Sequence, residues 1–223
     1  MSPERSGGER ASRSTPIPLP AIRRLSLYLR QLEAFDEAER STVSSRELGE
    51  ALGLADAQVR KDLAHFGQFG HPGIGYRVTE LIERVRRILG TDRVAKVLLV
   101  GAGNLGRALI AFRGFKKRGF ELVAVFDKDP AKVGERTAGP SALKILAVSE
   151  MAKVVRKQGI RLGILAVPAD TAQQAAEEMI AAGIRGILNF APVTLQVGPE
   201  ISVASVDLAI HLEQLSFLQS PTS

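Results

Sequence analysis

The chain has 223 residues, 45% of them hydrophobic, which is enough for one large core or two smaller ones, and we expect two domains. It contains no Cys, which excludes disulfides, thiolate nucleophiles and Cys-based metal sites and favours an intracellular protein. No apolar run approaches the length of a membrane span, and the first residues lack the apolar core of a signal peptide. We therefore expect a soluble, cytoplasmic protein without a bound metal.

Net charge suggests a polyanionic partner but does not locate its site. The formal charge is +6 and the pI is near 9.9. Residues 1–90, however, hold 14 Lys and Arg against 12 Asp and Glu, an excess of only +2. A nucleic-acid site must therefore be sought in the local arrangement of residues.

The first ninety residues predict a tail followed by short helices. Residues 1–19 mix Ser, Pro, Gly and Arg and are predicted to be a disordered tail. From Pro20 an apolar stripe at helical spacing predicts the first helix. Its inward residues are Ile22, Leu25, Leu29, Leu32 and Phe35.

A helix-turn-helix is predicted next. Ser44-Ser45-Arg46-Glu47 has the capping-box form S-x-x-E and opens a second helix, which Gly53 ends. A third helix follows at once from Asp56, and such a tight turn is typical of a helix-turn-helix. The residues predicted to face inward are Leu48, Ala51 and Leu52 on the second helix and Val59, Leu63 and Phe66 on the third.

The third helix carries a polar face suited to DNA. Gln58, Lys61 and His65 share this face, and Arg60 lies toward the other flank. Amide, ammonium and imidazole groups match base edges and phosphates, although an ordinary solvated helix face is the simpler alternative.

The glycine-rich segment that follows favours DNA binding. Residues 67–78 predict a hairpin, the wing of a winged helix, with Tyr76 and Arg77 near the duplex backbone. A fourth helix, capped by Thr79 and ended by Gly90, completes the unit. We predict a winged-helix DNA-binding domain over residues 20–89.

A second domain opens on a glycine motif. In residues 97–106 an apolar strand turns into glycines spaced G-x-G-x-x-G, and helical periodicity follows. The first glycine allows a sharp turn, the second lets the backbone approach a pyrophosphate, and the third lets the helix pack closely on the strand. The predicted cofactor-binding residues of this motif are Gly101, Gly103, Asn104, Leu105 and Gly106.

An acid ends the next predicted strand, residues 121–127. The carboxylate of Asp127 can accept hydrogen bonds from both ribose hydroxyls of an adenosine and would repel a 2′-phosphate, which favours NAD over NADP. A glycine turn in an α/β domain that binds nothing is the alternative.

Strands and helices then alternate as in a Rossmann-type doubly wound parallel sheet, predicted over residues 90–205. Ligands of such sheets sit outside the carboxyl ends of the strands, so the residues there should flank the nicotinamide. They are Val167, Pro168, Asn189, Phe190 and Pro192. Strand-ending loops that merely contain Pro are an equal alternative for each of them.

Residues 206–223 are predicted to form a C-terminal dimerisation helix. Asp207 caps this helix, which has no Lys or Arg. Its leucines should bury against something substantial, and another subunit is plausible. They are Leu208, Leu212, Leu215 and Leu218.

Several of these stretches, in this order, resemble the Rex family of bacterial redox-sensing transcriptional repressors across residues 20–218. The resemblance implies a homodimer of winged-helix and Rossmann domains whose C-terminal helix is swapped into the partner. It also implies that NADH releases the operator, whereas NAD⁺ is compatible with binding it. The matching stretches are Gln58–Leu63 with Phe66-Gly67, Gly73–Tyr76, Val100–Gly106, Phe126-Asp127 with Lys132–Gly134, and Ile187–Pro192.

One residue departs from the family pattern. The family usually has Tyr where this chain has Phe112, and that hydroxyl bonds the acid matching Asp207 in one state of the switch. In the family this acid alternates toward a basic residue that matches Arg30. Losing one of two competing partners should bias the equilibrium between the states.

Together these features predict a repressor that binds an inverted-repeat operator and senses the NADH/NAD⁺ balance without catalysing a reaction. The main alternative is an NAD-dependent dehydrogenase whose first domain only dimerises. Hydride transfer to a carbonyl usually needs a His, Lys or Tyr near the nicotinamide, and none stands at the proposed ring site. A CoA- or mononucleotide-binding scaffold is a second alternative.

Overall fold

The chain divides into two compact units, Met1–Asp92 and Arg93–Ser223. The computed structural model describes residues 19–67, 69–70, 75–138 and 142–219. The predicted tail therefore lies outside the described residues, except that Leu19 already belongs to the first helix. Within the described ranges, no helix has the length and apolar character needed to cross a membrane.

Unit 1 is a bundle of four helices with one short strand pair. Helix α1 packs against α2 and α4, and α2 packs against α3. Strands β1 and β2 pair antiparallel, with Val43 opposite Tyr76. The elements are α1 (Leu19–Glu37), β1 (Thr42–Val43), α2 (Ser45–Leu52), α3 (Asp56–Ala64), β2 (Tyr76–Arg77) and α4 (Val78–Ile88).

Two predicted core positions of unit 1 are exposed. Helix α1 buries a stripe through Ala21, Leu25, Tyr28 and Leu32, and Ile22 lies one residue off this stripe. On α2 the buried side runs through Leu48 and Gly49, which turns Ala51 to solvent. The predictions for Ile22 and Ala51 were therefore wrong.

The capping box of α2 is confirmed. The Ser44 hydroxyl accepts from the Glu47 N–H (3.1 Å), and the Glu47 carboxylate accepts from the Ser44 N–H (2.8 Å). The pKa of Glu47 falls to about 2 because its carboxylate accepts from the Ser44 N–H, from the Ser44 hydroxyl (2.8 Å) and from the Arg40 guanidinium. At its other end, α2 stops at Gly53, whose φ of 67° is left-handed.

The entry into α4 differs from the prediction. The helix begins at Val78, directly after β2, so Thr79 lies inside it and caps nothing. The Val78 N–H donates instead to the Ser41 carbonyl (3.0 Å), which takes the place of a side-chain cap. Part of the predicted wing hairpin, residues 68 and 71–74, lies outside the described residues, and β2 pairs with β1.

Unit 2 contains a six-stranded, all-parallel sheet in the order β5-β4-β3-β6-β7-β8. The chain runs outward from β3 to one edge and then returns to continue from β6 to the other edge. The switch point between β3 and β6 is where Rossmann-type folds bind ligands. The strands are β3 (Ala95–Val100), β4 (Phe120–Asp127), β5 (Ile145–Ala147), β6 (Leu162–Leu165), β7 (Gly186–Asn189) and β8 (Ser202–Ser205).

Helices cover both faces of this sheet. Leu98 and Phe126 belong to one apolar cluster with residues of α7 and α8, whereas Leu99 and Val125 belong to another with Ile110 of α5. This alternation along single strands is what a doubly wound fold requires. The helices are α5 (Asn104–Ala111), α6 (Gly114–Lys117), α7 (Met151–Gln158), α8 (Ala169–Ala182) and α9 (Leu208–Gln219).

The last helix, α9, is apolar and buries none of its residues in this chain. Leu212, Phe217 and Leu218 are 67%, 78% and 72% exposed. Asp207 caps the helix as predicted, because its carboxylate accepts from the Ala209 N–H (2.9 Å). An apolar helix of this kind calls for a partner surface.

Candidate functional site

A cavity of ≈ 640 Å³ opens at the carboxyl ends of β3, β4 and β6, at the switch point of the sheet. This volume lies within the range of small-molecule and cofactor sites. The cavity is lined by five of the residues predicted to bind a nucleotide, namely Gly101, Gly103, Asp127, Val167 and Pro168.

The glycine loop has the geometry of a phosphate cradle. Gly101 has a φ of 101°, and a Cβ there would overlap the Ala166 carbonyl oxygen. A Cβ at Gly106 would overlap the Gly101 carbonyl oxygen, so α5 packs directly on the strand turn. At Gly103 nothing stands within 4 Å of the Cβ position. This open space lies beside the uncapped first turn of α5, where the sequence predicts a pyrophosphate.

Asp127, at the end of β4, is almost fully buried. Its Oδ2 accepts from the Ala102 N–H (2.7 Å) and from Lys132 Nζ (3.3 Å), and its Oδ1 accepts from the Asp129 N–H (2.9 Å). Burial raises the pKa of this carboxyl, but the three hydrogen bonds outweigh it and lower the pKa below its usual value. Asp127 is therefore an anion at neutral pH.

These contacts refine the predicted role of Asp127. A carboxylate has about four acceptor positions, and three are already used inside the chain. One ribose hydroxyl can be accepted on Oδ1 as the site stands, and a second requires Lys132 to move. The contact between Asp127 and an adenosine ribose stays a prediction, with Lys132 as a competitor for Oδ2.

Helix α8 adds cavity residues that the sequence analysis missed. Thr171, Gln174 and Glu178 line the cavity from the first turns of this helix, and Lys132 lines it from the turn after β4. The spacing of three and four residues along α8 was a readable signal, because it places these side chains on one helical face.

Six other predicted cofactor residues are not among the residues that line this cavity. Asn104 and Leu105 are exposed on the first turn of α5, and Gly106 is buried beneath it. Phe190 is half-buried against the apolar cluster of Val97 and Leu99, and Pro192 is exposed.

Asn189, the sixth, has a structural role. Its side chain is fully buried, and its Nδ2 donates to the carbonyls of Ala191 (3.1 Å) and Val193 (2.9 Å). Its Oδ1 accepts from the Ala191 N–H (2.9 Å). This amide therefore holds the loop after β7, and its predicted contact with the cofactor stays a prediction.

The predicted DNA-binding face of α3 is partly occupied by internal contacts. Lys61 and His65 are exposed, and His65 stands just beyond the last residue of the helix. Arg60 pairs with Asp56 (2.6 Å) and donates to the Ser45 hydroxyl (3.2 Å). The ion pair with Asp56 and the hydrogen bond with Ser45 both lie at the surface, so a phosphate can compete for the Arg60 guanidinium.

Gln58 belongs to a buried polar network that the sequence analysis did not identify. Its Nε2 donates to Asp62 Oδ1 (2.8 Å), and Asp62 also accepts from Tyr28 (2.7 Å) and from Arg24. Burial raises the pKa of Asp62, but the hydrogen bonds of Arg24, Tyr28 and Gln58 lower it below its usual value. The signal was an acid placed inside the apolar stripe between Val59 and Phe66.

The remaining predicted residues lie as follows. In β2, Tyr76 is half-buried against the core of unit 1, and Arg77 is exposed with Glu80 at 3.5 Å. Arg30 is exposed on α1. Phe112 ends α5, is 56% exposed and packs edge-to-face on Phe115.

No metal site accompanies these features in the described part of the chain, where no group of three or more His, Asp or Glu side chains could hold an ion.

The glycine loop generates a prediction. Gly103→Ala should leave stability unchanged, because its backbone φ of −75° is ordinary and its Cβ position is open, but the methyl group occupies the space that a phosphate needs. We expect an unaltered unfolding midpoint and at least a tenfold loss of NADH affinity in calorimetry. Gly106→Ala is the comparison variant in the same loop. Its methyl group would overlap the Gly101 carbonyl oxygen, so it should lower the free energy of unfolding by about 2 kcal/mol. Full NADH affinity in the stable Gly103→Ala variant would contradict this assignment.

Comparison with known proteins gives a consistent result for both units. Residues 16–64 match a family model described as "Putative DNA-binding protein N-terminus", and residues 92–193 match one described as "CoA binding domain". The redox-sensing transcriptional repressor Rex of Carboxydothermus hydrogenoformans is 46% identical over 201 residues, which cover 90% of this chain and 95% of that protein.

Solved structures agree with this relationship. RSP, a Rex-family repressor, in complex with β-NAD⁺ and operator DNA is 36% identical, with a TM-score of 0.85 and coverage of 92% of this chain and 93% of RSP. RSP in complex with β-NADH has a TM-score of 0.79 at 34% identity, with coverage of 92% and 94%. These similarities set aside the dehydrogenase alternative, and the chain belongs to the Rex family of redox-sensing transcriptional repressors.

Proposed function

We propose that this chain is a homodimeric repressor that binds an inverted-repeat operator and leaves it when NADH occupies the cavity of unit 2. The observation that carries the proposal is this cavity, where an open glycine loop meets a buried carboxylate. The relative RSP supports both halves of the cycle, with one complex containing β-NAD⁺ and operator DNA and another containing β-NADH. We place the repressor in the cytoplasm, where bacterial DNA is accessible.

The cofactor proposal follows the chemistry of the cavity. The pyrophosphate lies at the glycine loop and the first turn of α5, residues 101–106, and the adenosine ribose lies at Asp127. Because Asp127 is ionised, it disfavours a 2′-phosphate, so NAD is preferred over NADP. The nicotinamide end extends past Val167 and Pro168 toward the loop that contains Phe190 and Pro192.

The DNA-binding proposal rests on unit 1. Helix α3 enters the major groove with Gln58, Lys61 and His65, while Arg60 takes a phosphate. Tyr76 and Arg77 of β2 hold the duplex backbone. Two copies related by a two-fold axis then read the two halves of an inverted repeat.

The dimer proposal rests on α9. This helix exposes several large apolar side chains and no Lys or Arg, so a second copy of this chain is the natural occupant of its surface. The family resemblance implies that the helix is swapped into the partner subunit.

Release of DNA requires the two forms of the cofactor to favour different conformations. Reduced and oxidised nicotinamide differ by one positive charge and in ring planarity. A pocket near Phe190 and Pro192 that closes only over the neutral ring would rotate the subunits and spoil the half-site spacing. A tenfold change in operator affinity requires a discrimination of about 1.4 kcal/mol between the two conformations.

Asp207 is the proposed switch residue. Its Oδ1 caps α9 through the N–H groups of Ala209 and Ile210, whereas its Oδ2 has no hydrogen bond within the described ranges. That oxygen is available to Arg30 in one state, as the family resemblance implies. The competing hydroxyl of the other state is missing, because Phe112 has none.

The central prediction is that NADH, and not CoA, releases the protein from DNA. A duplex selected by the protein from a random pool should contain an inverted repeat, and fluorescence anisotropy should show at least a tenfold weaker complex with NADH than with NAD⁺. Asp127→Asn removes the ribose-binding anion and should reduce the NADH response and the preference over NADPH. Calorimetric binding of CoA without NADH would favour the scaffold alternative. Consumption of NADH with any substrate would favour an enzyme.

The proposed dimer can be tested by placing charges on α9. Leu212→Asp combined with Leu215→Asp places two charges on the apolar surface of α9 and should yield a monomer in sedimentation velocity, with operator affinity lost. Gln214→Asp adds a charge at a polar position of the same helix and serves as the control. A monomeric wild-type protein would contradict the proposal.

The effect of the missing hydroxyl at Phe112 can be tested by restoring it. Phe112→Tyr should restore the competing hydroxyl and change the ratio of operator affinities with NAD⁺ and NADH about five-fold, for a hydrogen bond of about 1 kcal/mol. Phe112→Leu, which adds no hydroxyl, is the control. Identical ratios for the wild type and Phe112→Tyr would remove the hydroxyl from the switch.

A further inference from the structure

We propose that Asp62, buried beneath α3, is a positioning residue that turns the carbonyl oxygen of the Gln58 amide outward, so that Gln58 accepts from a base amine in the major groove. This inference rests on the proposed DNA-binding function of α3 and names the chemistry that one of its side chains reads. Asp62 itself never touches the duplex.

The first step is the burial of Asp62, which is 1% exposed. Four hydrogen bonds converge on its carboxylate: two from the Arg24 guanidinium, one from the Tyr28 hydroxyl and one from Gln58. Arg24 and Tyr28 belong to α1, and Gln58 stands one helical turn before Asp62 on α3. The carboxylate therefore joins the proposed recognition helix to the first helix.

The second step concerns which end of the amide faces Asp62. The opposed Arg24 charge and the converging donors keep Asp62 ionised, and an ionised carboxylate can only accept. The Gln58 amide must therefore present its NH₂ group to Asp62, since its carbonyl oxygen would face a buried anion. This orientation follows because an ionised carboxylate accepts hydrogen bonds and cannot donate them.

The third step concerns what remains for a ligand. Gln58 is half-buried, and its Oε1 has no hydrogen-bond partner within the residues that the structure describes. The free part of the side chain is thus a carbonyl acceptor with one remaining N–H beside it. In the major groove this combination matches the exocyclic amine of adenine or cytosine, and adenine also offers N7 to the N–H.

A purely structural role for Asp62 predicts a different result. If the carboxylate only ties α1 to α3, its loss weakens binding to every duplex by the same factor. If it orients Gln58, its loss also relaxes the choice of base at the position that Gln58 reads. Base preference therefore separates the two roles, and overall affinity does not.

The experiment uses the full chain and the duplex that it selects from a random pool. At each adenine or cytosine of the half-site, N6-methyladenine or N4-methylcytosine replaces the base, which keeps pairing but blocks the amine in the major groove. Anisotropy should show one position per half-site where methylation weakens wild-type binding at least tenfold. Gln58→Ala should bind the plain and methylated duplexes equally, whereas Gln31→Ala, the same change on α1, should discriminate like the wild type.

Asp62→Asn completes the test. A neutral Asn can donate or accept, so the Gln58 amide is free to turn, and the discrimination should fall several-fold at that position. Undiminished discrimination with uniformly weaker binding would overturn the proposal, as would a wild-type protein that is indifferent to methylation at every position. A wild-type protein that selects no inverted repeat would instead refute the proposed function.

A separate measurement covers the case in which Asp62→Asn does not fold. In the wild-type NMR spectrum one side-chain amide proton of Gln58 should be shifted downfield and protected from exchange by the buried carboxylate. Two protons with the shifts and exchange rates of a solvated glutamine would overturn the proposal.

Discussion

The hydrogen bond from the Ala102 N–H to the buried carboxylate of Asp127 joins the two strand ends on which the nucleotide site is built. It adds a side-chain link to the parallel pairing of β3 with β4, which continues to the Gly101 N–H and the Phe126 carbonyl (2.8 Å). The bond also brings an anion close to the glycine loop that is proposed to bind phosphates. Lys132 offsets that cost, because its ammonium pairs with the same Oδ2 atom of Asp127 that accepts from the Ala102 N–H.

Both units use a buried carboxylate in the same physical way. Asp62 in unit 1 and Asp127 in unit 2 are held ionised by donors from more than one segment of the chain. Each fixes the position of a neighbouring group that a ligand is proposed to meet: the Gln58 amide in one case and the glycine loop in the other. Burial makes this positioning firm, because an unsatisfied charge in a low-dielectric interior is costly.

Helix α9 presents an apolar surface that is exposed in the single chain. Helix α9 has the composition of a core helix and the exposure of a surface helix. Its N-terminus is fixed by Asp207, which is also the proposed switch residue. In the proposed dimer, association of subunits and response to the cofactor would both involve Asp207, and the proposed coupling between cavity and operator would run through the interface between subunits.

Much of this architecture follows from local sequence patterns. Three features could be predicted from the spacing of a few residues, because their contacts are local. They are the capping box at Ser44, the glycine motif after β3 and the acid at the end of β4. Tertiary structure alone decided the rest. It rotated α1 so that Ile22 is exposed, and it brought Arg24 and Tyr28 of α1 to Asp62, which lies 38 and 34 residues away in the chain, because such contacts depend on how whole helices pack. The hydrogen bonds of Asn189 and of Gln58 are local in sequence, but packing decided that Asn189 and Asp62 are buried.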